Sequence, residues 1–573
     1  MVQPEKPALT AYVEHVRDLI IREKFNDLPE LAITKPVYFN WVTDVFEALN
    51  VAAFPEKSAL IWTNGDRTET FTFSKLAEQC NQLLNLLRAN QVQQGDIILS
   101  QLSSLPPIWT SILAVIKGGF KLIPVATILG VSDLVYRFGR LTPKVILADP
   151  ENAEKIDTAE KQATIHIGLK ILTEGHRDGW ITYDEIRNYD KTAEAAQTRA
   201  DDPLFLFFTS GTTGMPKIVS HTHFTYPIGH LTTASWIGLK PDDLHYNIAQ
   251  PGWAKFAWSS VFAPWNMGST IFSYNQPGRF DAKWQLQQLE THKVTTFCCP
   301  PTVLRMLIQE DLSQFRLSLR ACVAAGEPLN PEVIDVWRKG TGITIRDGFG
   351  QTESSCIVGN LPNDEIKPGS MGKPLFLYDV VIASDEGQEQ PLYEEGTICV
   401  RMDTGRPNGI FSGYFNEPEK MKAVFREGLY FTGDKAYKDQ DGYIWFVGRD
   451  DDVIKSSDYR VGPFEVESAL LEHDVVVESA VVGSPHPVKG FEIKAFVVLV
   501  PGSEPSKELA ELLFSFSREH LAPFKMPRII EFVNELPKTI SGKIRRVELR
   551  AREARNKLDG LVIEKEYCYA KKS

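Results

Sequence analysis

A loop of small and hydroxyl residues that ends in lysine is the first candidate for chemistry in this sequence. An apolar run at 204–208 leads directly into the string Thr-Ser-Gly-Thr-Thr-Gly-Met-Pro-Lys, from Thr209 to Lys217. Glycine lets a backbone approach a phosphate closely, hydroxyl side chains donate hydrogen bonds, and lysine adds positive charge. The Gly-x-x-x-x-Gly-Lys-[Ser/Thr] spacing of a Walker A loop is not present. The string therefore predicts a polyphosphate-binding loop of another kind rather than a flexible turn.

The apolar pattern around this loop predicts an α/β domain that holds it. Residues 58–63 and 67–73 flank Asn64-Gly65-Asp66, which is typical of a β-hairpin turn. Ser74 is predicted to cap the helix that follows. Strands that alternate with helices indicate a largely parallel sheet. The other strands of this domain are predicted at 97–99, 121–125, 144–147, 204–208, 295–299 and 321–325, and a helix at 108–117.

The pattern of predicted strands, helices and turns changes twice towards the C-terminus. Short strands with Gly and Asp turns predict a β-rich subdomain from about residue 379. After the acidic triplet Asp450-Asp451-Asp452, the pattern restarts as a small α+β unit. We therefore predict a large, multi-layer N-terminal α/β domain over 1–450, and a small mobile C-terminal domain over 451–573 that is hinged near Asp451. The C-terminal strands are predicted at 475–482, 495–500 and 528–533, and a helix at 509–520.

Composition and termini narrow the functional classes. The 74 acidic and 62 basic residues give a net charge of −12, which argues against a chain that coats nucleic acid or anionic lipid. Seven cysteines without a CxxC pair indicate a reducing compartment. His221 and His223 have metal-ligand spacing but no clustered partner, so zinc is not expected. No flavin is expected either. The N-terminal stretch has the pattern of neither a signal peptide nor a transit peptide. The sequence has no apolar run long enough to predict a membrane span. We predict a cytoplasmic protein without integral membrane association.

Several further segments occur in an order that identifies a family. They are Gly326-Glu327-Pro328, the segment from Asp347 to Glu353 (Asp-Gly-Phe-Gly-Gln-Thr-Glu), Tyr430-Phe-Thr-Gly-Asp434, Gly448-Arg449-Asp450-Asp451-Asp452, and the segment from Pro537 to Lys543. Together with the first loop, they resemble the adenylate-forming (AMP-binding) superfamily of acyl-CoA synthetases, luciferases and peptide-synthetase adenylation domains. Segments 407–414, 462–468 and 536–543 are most similar to medium-chain acyl-CoA synthetases.

The resemblance implies a role for each motif. Lys543, Thr209 and Glu353 are the implied catalytic residues, with Glu353 holding Mg²⁺, and Lys543 contacting the substrate carboxylate and the α-phosphate. Asp434 is implied to accept the ribose hydroxyls, Phe349 to face adenine, and Asp347 to accept from the adenine amino group. The implied ATP or AMP contacts are Thr209, Ser210, Gly211, Thr212, Thr213, Gly214, Lys217, Gly326, Glu327, Pro328, Asp347, Gly348, Phe349, Gln351, Thr352, Asp434, Arg449 and Arg460.

The acyl pocket is implied to lie beside these motifs. Acetyl-CoA synthetases carry tryptophan where this chain has Gly350, so the resemblance implies an acid larger than acetate: medium-chain, branched or aromatic. Lys255 departs from the family pattern and has two interpretations, a contact with a polar or acidic acyl tail or extension into solvent. Trp258 is either a pocket wall or a core residue. The implied acyl-binding residues are Trp253, Ala254, Lys255, Ala325 and Gly350.

Two acceptors of the acyl group are compatible with the sequence. The leading hypothesis is an acyl-CoA synthetase with ATP, Mg²⁺, CoA and a small carboxylic acid as ligands; a homo-oligomer is compatible with the sequence. The implied CoA path includes Ser457 and Asp458, and Asp458 stands where many relatives have glycine. Its bulk and charge keep a second hypothesis open, in which the adenylate goes to a carrier protein or another nucleophile. A catalytically inactive nucleotide sensor is the third.

Overall fold

The structure of the protein is a computed structural model. It describes residues 8–30, 33–209, 216–403, 405–456, 459–487, 489–538 and 543–569. Within these ranges the strands form four sheets, which we name A to D. Sheets A and B are mainly parallel, sheet C is antiparallel, and sheet D belongs to the C-terminal unit. The predicted α/β class, with a β-rich subdomain and a separate α+β unit, is confirmed.

Sheet A carries the strand that enters the predicted phosphate loop. Pro203–Thr209 pairs in parallel with Lys121–Pro124 on one side and antiparallel with Lys217–Thr222 on the other. Its central residues are buried, as expected for a strand covered on both faces. The order across sheet A is Gly413–Tyr414, Lys217–Thr222, Pro203–Thr209, Lys121–Pro124, Ile97–Gln101, Val145–Ala148, Leu169–Leu172 and Ile181–Thr182.

Sheet B brings two further motifs to the carboxyl ends of neighbouring strands. Ala321–Ala325 and Ile345–Gly350 are parallel, so the Gly326 segment and the Gly350 segment leave the sheet at the same edge. The order across sheet B is Lys373–Pro374, Cys356–Gly359, Ile345–Gly350, Ala321–Ala325, Thr296–Cys299, Leu244–Asn247, Thr270–Tyr274, Ser58–Thr63 and Thr68–Thr72. The predicted hairpin therefore forms the far edge of this sheet.

Sheets C and D supply the remaining motifs. In sheet C, Leu429–Lys438 pairs antiparallel with Ile444–Arg449, which sets Asp434 opposite Arg449. Sheet C otherwise contains Val380–Ala383, Gly396–Arg401 and Phe425–Arg426. Sheet D contains Tyr459–Val461, Ile454–Ser456, Val476–His486, Gly490–Leu499, Ile529–Phe532 and Glu566–Cys568.

One helix is buried along its whole length between sheets A and B. Every residue of Thr225–Ile237 is buried, and the helix packs on Lys217–Thr222 and Cys356–Gly359. Its polar groups have partners where they meet the sheet: Thr232 Oγ1 donates to Cys356 O at 2.7 Å, and Trp236 Nε1 donates to Asp347 O at 3.1 Å. Because a buried polar group without a hydrogen bond is costly, these bonds fix the helix on sheet B.

The remaining helices cover the sheets. The α-helices are Ala8–Ile21, Phe73–Ala89, Pro107–Gly118, Val131–Arg140, Pro150–Ala163, Ala254–Ala257, Ala263–Met267, Ala282–Thr291, Pro301–Leu307, Pro331–Thr341, Pro418–Val424, Pro463–Leu471, Lys507–His520 and Arg546–Leu558. Short 3₁₀ segments lie at Phe25–Glu30, Tyr183–Asn188 and Leu312–Gln314, and π-helical segments at Val42–Val51 and Trp258–Phe262. In the described part of the chain, none of the helices is both long and apolar enough to cross a bilayer.

The predicted helix cap at Ser74 is wrong. The helix begins at Phe73, and the Thr72 side chain accepts from the backbone N–H of Lys75 at 3.2 Å. Ser74 already lies in the first turn, where its hydroxyl contacts Thr72 and Glu56. A cap residue needs an extended backbone before the first turn, and Thr72 has it with ψ of 166°.

Candidate active site

Lys217 and Glu353 form an ion pair where sheet A meets the segment from Asp347 to Glu353, which we call the second core motif. Lys217 Nζ lies 2.7 Å from Glu353 Oε1, and the glutamate side chain is only 10% exposed. The Tyr414 hydroxyl completes the group: it lies 2.6 Å from Lys217 Nζ and 3.0 Å from Glu353 Oε1. A cation, an anion and a neutral phenol therefore meet at one point.

The Glu353 carboxylate has the chemistry of a magnesium ligand. Mg²⁺ prefers hard oxygen ligands and accepts one or two carboxylates beside phosphate oxygens. Lys217 and Tyr414 both contact Glu353 through Oε1. Thr209 lies opposite Lys217 in the strand register and is partly exposed, so its hydroxyl is at the same edge. The predicted loop contacts Ser210, Gly211, Thr212, Thr213 and Gly214 lie outside the described residues.

Asp434 is buried and bound to the second core motif. The Gln351 amide donates to Asp434 Oδ2 at 2.5 Å and to Thr432 O at 3.0 Å. Tyr430 orients the same amide, since its hydroxyl donates to Gln351 Oε1 at 2.8 Å. Burial raises the pKa of Asp434 to about 6, although Arg449 and Gln351 act in the opposite direction. The carboxylate is therefore held in position by Gln351 and is charged at neutral pH.

Asp347 lies at the base of the same motif, in strand Ile345–Gly350. It is 5% exposed, and burial raises the pKa of its carboxyl to about 8. The backbone N–H of Gly348 donates to Asp347 Oδ1 at 2.9 Å. At Gly348 an added Cβ would lie 2.5 Å from the Trp236 ring, so glycine is required by the packing. Phe349 and Thr352 follow with partly exposed side chains, and Thr352 O contacts His221 Nε2 at 2.7 Å.

The Gly326-Glu327-Pro328 segment turns away from the end of its strand. Gly326 has a φ of +101°, a conformation that favours glycine, and open space surrounds its missing side chain. Glu327 is held by two partners, Thr302 Oγ1 at 2.8 Å and Arg305 Nη2 at 3.1 Å. The segment is thus held in place through Glu327, and there is open space next to Gly326.

Lys543 reaches this segment from the C-terminal unit. Its side chain is exposed, yet the surrounding protein lowers its pKa by desolvation. The charges that act on it are those of Glu327, Arg449, Asp434 and Lys255, all of which belong to the N-terminal part. We call the space among Lys543, Glu327, Asp434 and Arg449 the cleft. The structure therefore brings the implied catalytic lysine together with the residues implied to bind the nucleotide.

The segment around the predicted hinge is linked to the C-terminal helix Arg546–Leu558. Arg550 forms an ion pair with Asp452 and lies 3.9 Å from Asp451. Arg449, on the other side of the hinge, lies 3.7 Å from Asp451. Arg460 is exposed; it contributes to the lowered pKa of Asp385, which is caused mainly by a hydrogen bond with Lys435. Its implied phosphate contact stays a prediction. Ser457 and Asp458 lie outside the described residues.

Lys255 turns inward rather than into solvent. Its Nζ donates to Ala325 O at 2.7 Å and lies 5.9 Å from the centre of the Trp258 ring. The interpretation that Lys255 extends into solvent is therefore wrong: the strand-end carbonyl offers the ammonium a hydrogen-bond partner inside the molecule. Ala325 is buried, whereas Trp253 and Ala254 are partly exposed beside it. The acyl-binding assignment of these residues stays a prediction.

Gly350 has a structural explanation that sequence reasoning did not find. A Cβ at this position would lie 2.4 Å from the backbone oxygen of Ser355. Because two backbone segments pass this close, any side chain at 350 would force one of them to move. Glycine is therefore required here by backbone packing, independently of how much room the acyl pocket has.

Tyr414 and Arg305 are site residues that the sequence motifs did not single out. Gly413-Tyr414 pairs with the strand that begins at Lys217, so Tyr414 contacts Lys217 and Glu353. Arg305 holds Glu327 from a neighbouring helix. Neither contact has a local sequence signal, because the partners are far apart along the chain. For Tyr414, only its place in the family-like segment 407–414 gave a hint.

Two family models match the chain. The model described as AMP-binding enzyme matches residues 48–415, and the model described as AMP-binding enzyme C-terminal domain matches residues 465–543. The chain belongs to the AMP-binding enzyme family. This family membership agrees with the geometry, since the two matched regions carry Lys217, Glu353 and Lys543 between them.

The relatives of this AMP-binding enzyme include proteins named as CoA ligases and acyl-coenzyme A synthetases. It is 48% identical to 4-hydroxybutyrate–CoA ligase 1 of Metallosphaera sedula, over 93% of each chain. It is 40% identical to the mitochondrial acyl-coenzyme A synthetase ACSM3 of Mus musculus, over 91% of this chain and 92% of that one. The crystal structure of the anthranilate CoA ligase AuaEII in complex with anthranoyl-AMP matches with a TM-score of 0.82 and 32% identity, over 92% of this chain and 98% of that one. The predicted family, fold class and acid–thiol ligase class are confirmed.

Proposed function

We propose that this enzyme is an AMP-forming acyl-CoA synthetase. A carboxylic acid and ATP give an acyl-adenylate and diphosphate, and the thiol of CoA then displaces AMP to give acyl-CoA. The observation that carries the proposal is the position of Lys543 in the cleft, within electrostatic reach of Asp434, Glu327 and Arg449. The first half-reaction needs a site in which the nucleotide and the acid meet, and the charges around Lys543 support one here.

The charges of the cleft suit the first half-reaction. A carboxylate must attack the α-phosphate although both reactants are anionic, so fixed positive groups are the main requirement. The positive charges of Arg449 and Lys255 both act on Lys543, which supports a shared anionic ligand at this site. Asp434 is placed to accept hydroxyl donors of the ribose. Mg²⁺, when bound through Glu353, would neutralise charge on the phosphate oxygens.

The acid is proposed to be larger than acetate and to carry a polar group. The inward ammonium of Lys255 supports a hydrogen-bond acceptor on the acyl chain, and the Metallosphaera sedula relative is named for 4-hydroxybutyrate. Pentanoate replaces the terminal hydroxyl of 4-hydroxybutyrate by a methyl group of similar size. We expect kcat/KM to favour 4-hydroxybutyrate by about ten- to hundredfold, the range of one hydrogen bond to a charged group. Lys255→Met should abolish that preference; equal losses for both acids would contradict the role.

The second half-reaction is proposed to follow a rotation of the C-terminal domain, residues 451–573, about Asp451. Lys543 is needed for adenylation, but in the same position it would obstruct the thiol. Closure steps of this kind commonly assemble a site and exclude water. The ion pairs of Asp451 and Asp452 with Arg550 support a hinge that is fixed in one arrangement and must be released for the other.

A pyrophosphate-release screen tests the proposed function directly. Straight-chain, hydroxylated, branched and aromatic acids are compared, each with and without CoA. Release that depends on the acid, together with acyl-CoA and AMP as products, is the expected result. The absence of release with every acid would contradict adenylation and favour a nucleotide sensor.

A carrier protein or another nucleophile as acceptor is the second candidate, and Asp458 is the observation that favours it. An aspartate in place of glycine adds bulk and negative charge to the implied pantetheine path. The same screen separates the two: acyl-adenylate that accumulates despite saturating CoA would favour the second candidate. Asp458→Gly should then raise the rate of CoA thioester formation.

A cytoplasmic location is part of the proposal. All seven cysteines are free thiols and six of them are buried, which suits a reducing compartment. The Mus musculus relative is named as mitochondrial. Fractionation of the native cells would decide, and recovery of the enzyme from an organelle would contradict the proposed location.

A further inference from the structure

The Tyr414 phenol lies between the two charged residues that the proposed function assigns to the phosphates and to Mg²⁺. Its oxygen is 2.6 Å from Lys217 Nζ and 3.0 Å from Glu353 Oε1, while the charged groups are 2.7 Å apart. Lys217 Nζ also lies 4.2 Å from the centre of the phenol ring, within the range of a cation–π contact. Tyr414 therefore contacts Lys217 through both its hydroxyl and its ring.

The backbone holds Tyr414 in this position. Tyr414 pairs with Val219 on the strand that begins at Lys217, and residues two apart on paired strands share a face. The bonds around it continue this pairing: Ser412 N and Phe415 N donate to the backbone oxygens of Ser220 and Ile218, each at 2.8 Å. The tyrosine is 6% exposed, so its ring has little freedom to leave.

The protonation of the three groups fixes the direction of the bonds. A lysine ammonium has donors only, and an ionised carboxylate has acceptors only. The phenol must therefore accept from Lys217 and donate to Glu353. Burial raises the pKa of Tyr414 above its usual range, and the negative charge of Glu353 adds to the effect.

We propose that Tyr414 is a positioning residue for MgATP, one that keeps Glu353 and Lys217 in place when the nucleotide separates them. The inference rests on the proposed function, which assigns Glu353 to Mg²⁺ and Lys217 to phosphate. Without a ligand the two charges neutralise one another. When Mg²⁺ and phosphate bind, the ion pair must open, and a buried charge without a partner is costly. The phenol remains beside both: it still donates to the carboxylate, and its ring still faces the ammonium.

Tyr414→Phe tests this, because it removes the hydroxyl and keeps the ring. Calorimetric titration with ATP, with and without Mg²⁺, measures nucleotide binding without any acid or thiol. We expect the affinity for MgATP to fall about tenfold, the size of one hydrogen bond to a charged group, and the affinity for metal-free ATP to fall less. In ATP–pyrophosphate exchange, the KM for MgATP and the half-saturating Mg²⁺ concentration should rise, and the KM for the acid should stay unchanged.

Tyr246→Phe is the matched control. Tyr246 is 2% exposed, its hydroxyl donates to Gln285 Oε1 at 2.9 Å, and it packs in a different hydrophobic cluster from Tyr414. Both variants lose one buried hydroxyl, so both should lower the thermal midpoint. Only Tyr414→Phe should change the ratio of MgATP to ATP affinity. A loss of thermal stability with an unchanged ratio would overturn the proposal and leave Tyr414 a structural residue.

A double-mutant cycle with Glu353→Gln separates an effect through the carboxylate from a general loss of stability in Tyr414→Phe. If the phenol acts through the carboxylate, Tyr414→Phe should change MgATP affinity much less in the Glu353→Gln background. Equal effects in both backgrounds would overturn the proposal. Because the calorimetric binding measurements need no acid, a chain that binds MgATP as expected but activates no acid would contradict the proposed function alone.

Discussion

The Gln351 side-chain amide lies 2.5 Å from Asp434 Oδ2, which joins the second core motif to the aspartate implied to bind ribose. The two residues are 83 positions apart: Gln351 directly follows a strand of sheet B, and Asp434 lies in a strand of sheet C. Burial raises the pKa of Asp434 to about 6, while the charge of Arg449 and the bond from Gln351 oppose the rise. Gln351 therefore helps to keep ionised the group that must accept hydroxyl donors.

Nucleotide affinity should fall as the pH drops through about 6. Below that pH Asp434 becomes protonated, and a neutral carboxyl accepts hydroxyl donors less well than a carboxylate. We expect the Kd for ATP to rise between pH 7.5 and 5, and Asp434→Asn to have weaker binding with a flatter profile. Calorimetric titration at each pH measures both. Asp178→Asn, at an exposed site, is the control; a variant profile as steep as that of the unmodified enzyme would assign the pH dependence elsewhere.

The buried carboxyl of Asp347 should make stability depend on pH in the opposite direction from an ordinary ion-paired aspartate. Its pKa is about 8 in the folded chain, against about 3.9 for an unfolded aspartate. Between these values the native state binds the additional proton, so the contribution of this group to stability falls as pH rises. Asp347→Asn removes the titration, and its Tm relative to the unmodified enzyme should increase from pH 5 to pH 8. Calorimetric scans at several pH values check this, and a constant or falling difference would contradict it.

Local patterns predicted the elements of this fold better than they predicted its contacts. The strand Ala321–Ala325 was predicted with its correct bounds, because a short apolar run between polar turns has a clear local signal. The inward turn of Lys255 depends on the carbonyl of Ala325, 70 positions away. Likewise, the phenol of Tyr414 meets Lys217 only through strand pairing across 197 positions. Contacts of this range follow from the tertiary fold, and the local sequence does not contain them.

Lys543→Ala should separate the two half-reactions. Removing a preorganised cation from a developing charge typically lowers the rate by about a hundredfold or more. We expect that loss in acid-dependent pyrophosphate release, whereas the reaction of supplied acyl-adenylate with CoA should be retained. Lys538→Ala is the control, because Lys538 belongs to the same segment but pairs with Glu478 at 2.5 Å. Equal losses in both half-reactions would show that Lys543 has a different role.

Lys494 should be essential for the stability of the C-terminal unit. Its fully buried ammonium lies 2.8 Å from Glu531 Oε2 and also pairs with Glu553 and Glu566. Lys494→Met would leave three carboxylates close together without their cation, and breaking a buried pair in this way costs about 3–5 kcal/mol. Lys422→Met, at a side chain that is 74% exposed, should change stability by less than about 1 kcal/mol. Denaturant unfolding measures both variants, and equal small effects would contradict the expectation.

Gly350→Ala distinguishes backbone packing from pocket size as the reason for glycine at this position. The new Cβ would lie 2.4 Å from Ser355 O, and a backbone atom cannot yield as a flexible side chain does. We expect a loss of about 1–3 kcal/mol or more, the usual cost of overpacking, visible as a lower Tm. Gly139→Ala is the matched control: it adds the same methyl group at an exposed helical position with open space around it, where alanine gains about 1 kcal/mol. If Gly350→Ala were as stable as the unmodified enzyme and only shifted the preferred acid towards shorter chains, the packing explanation would fail. Glycine would then be present because it opens the acyl pocket.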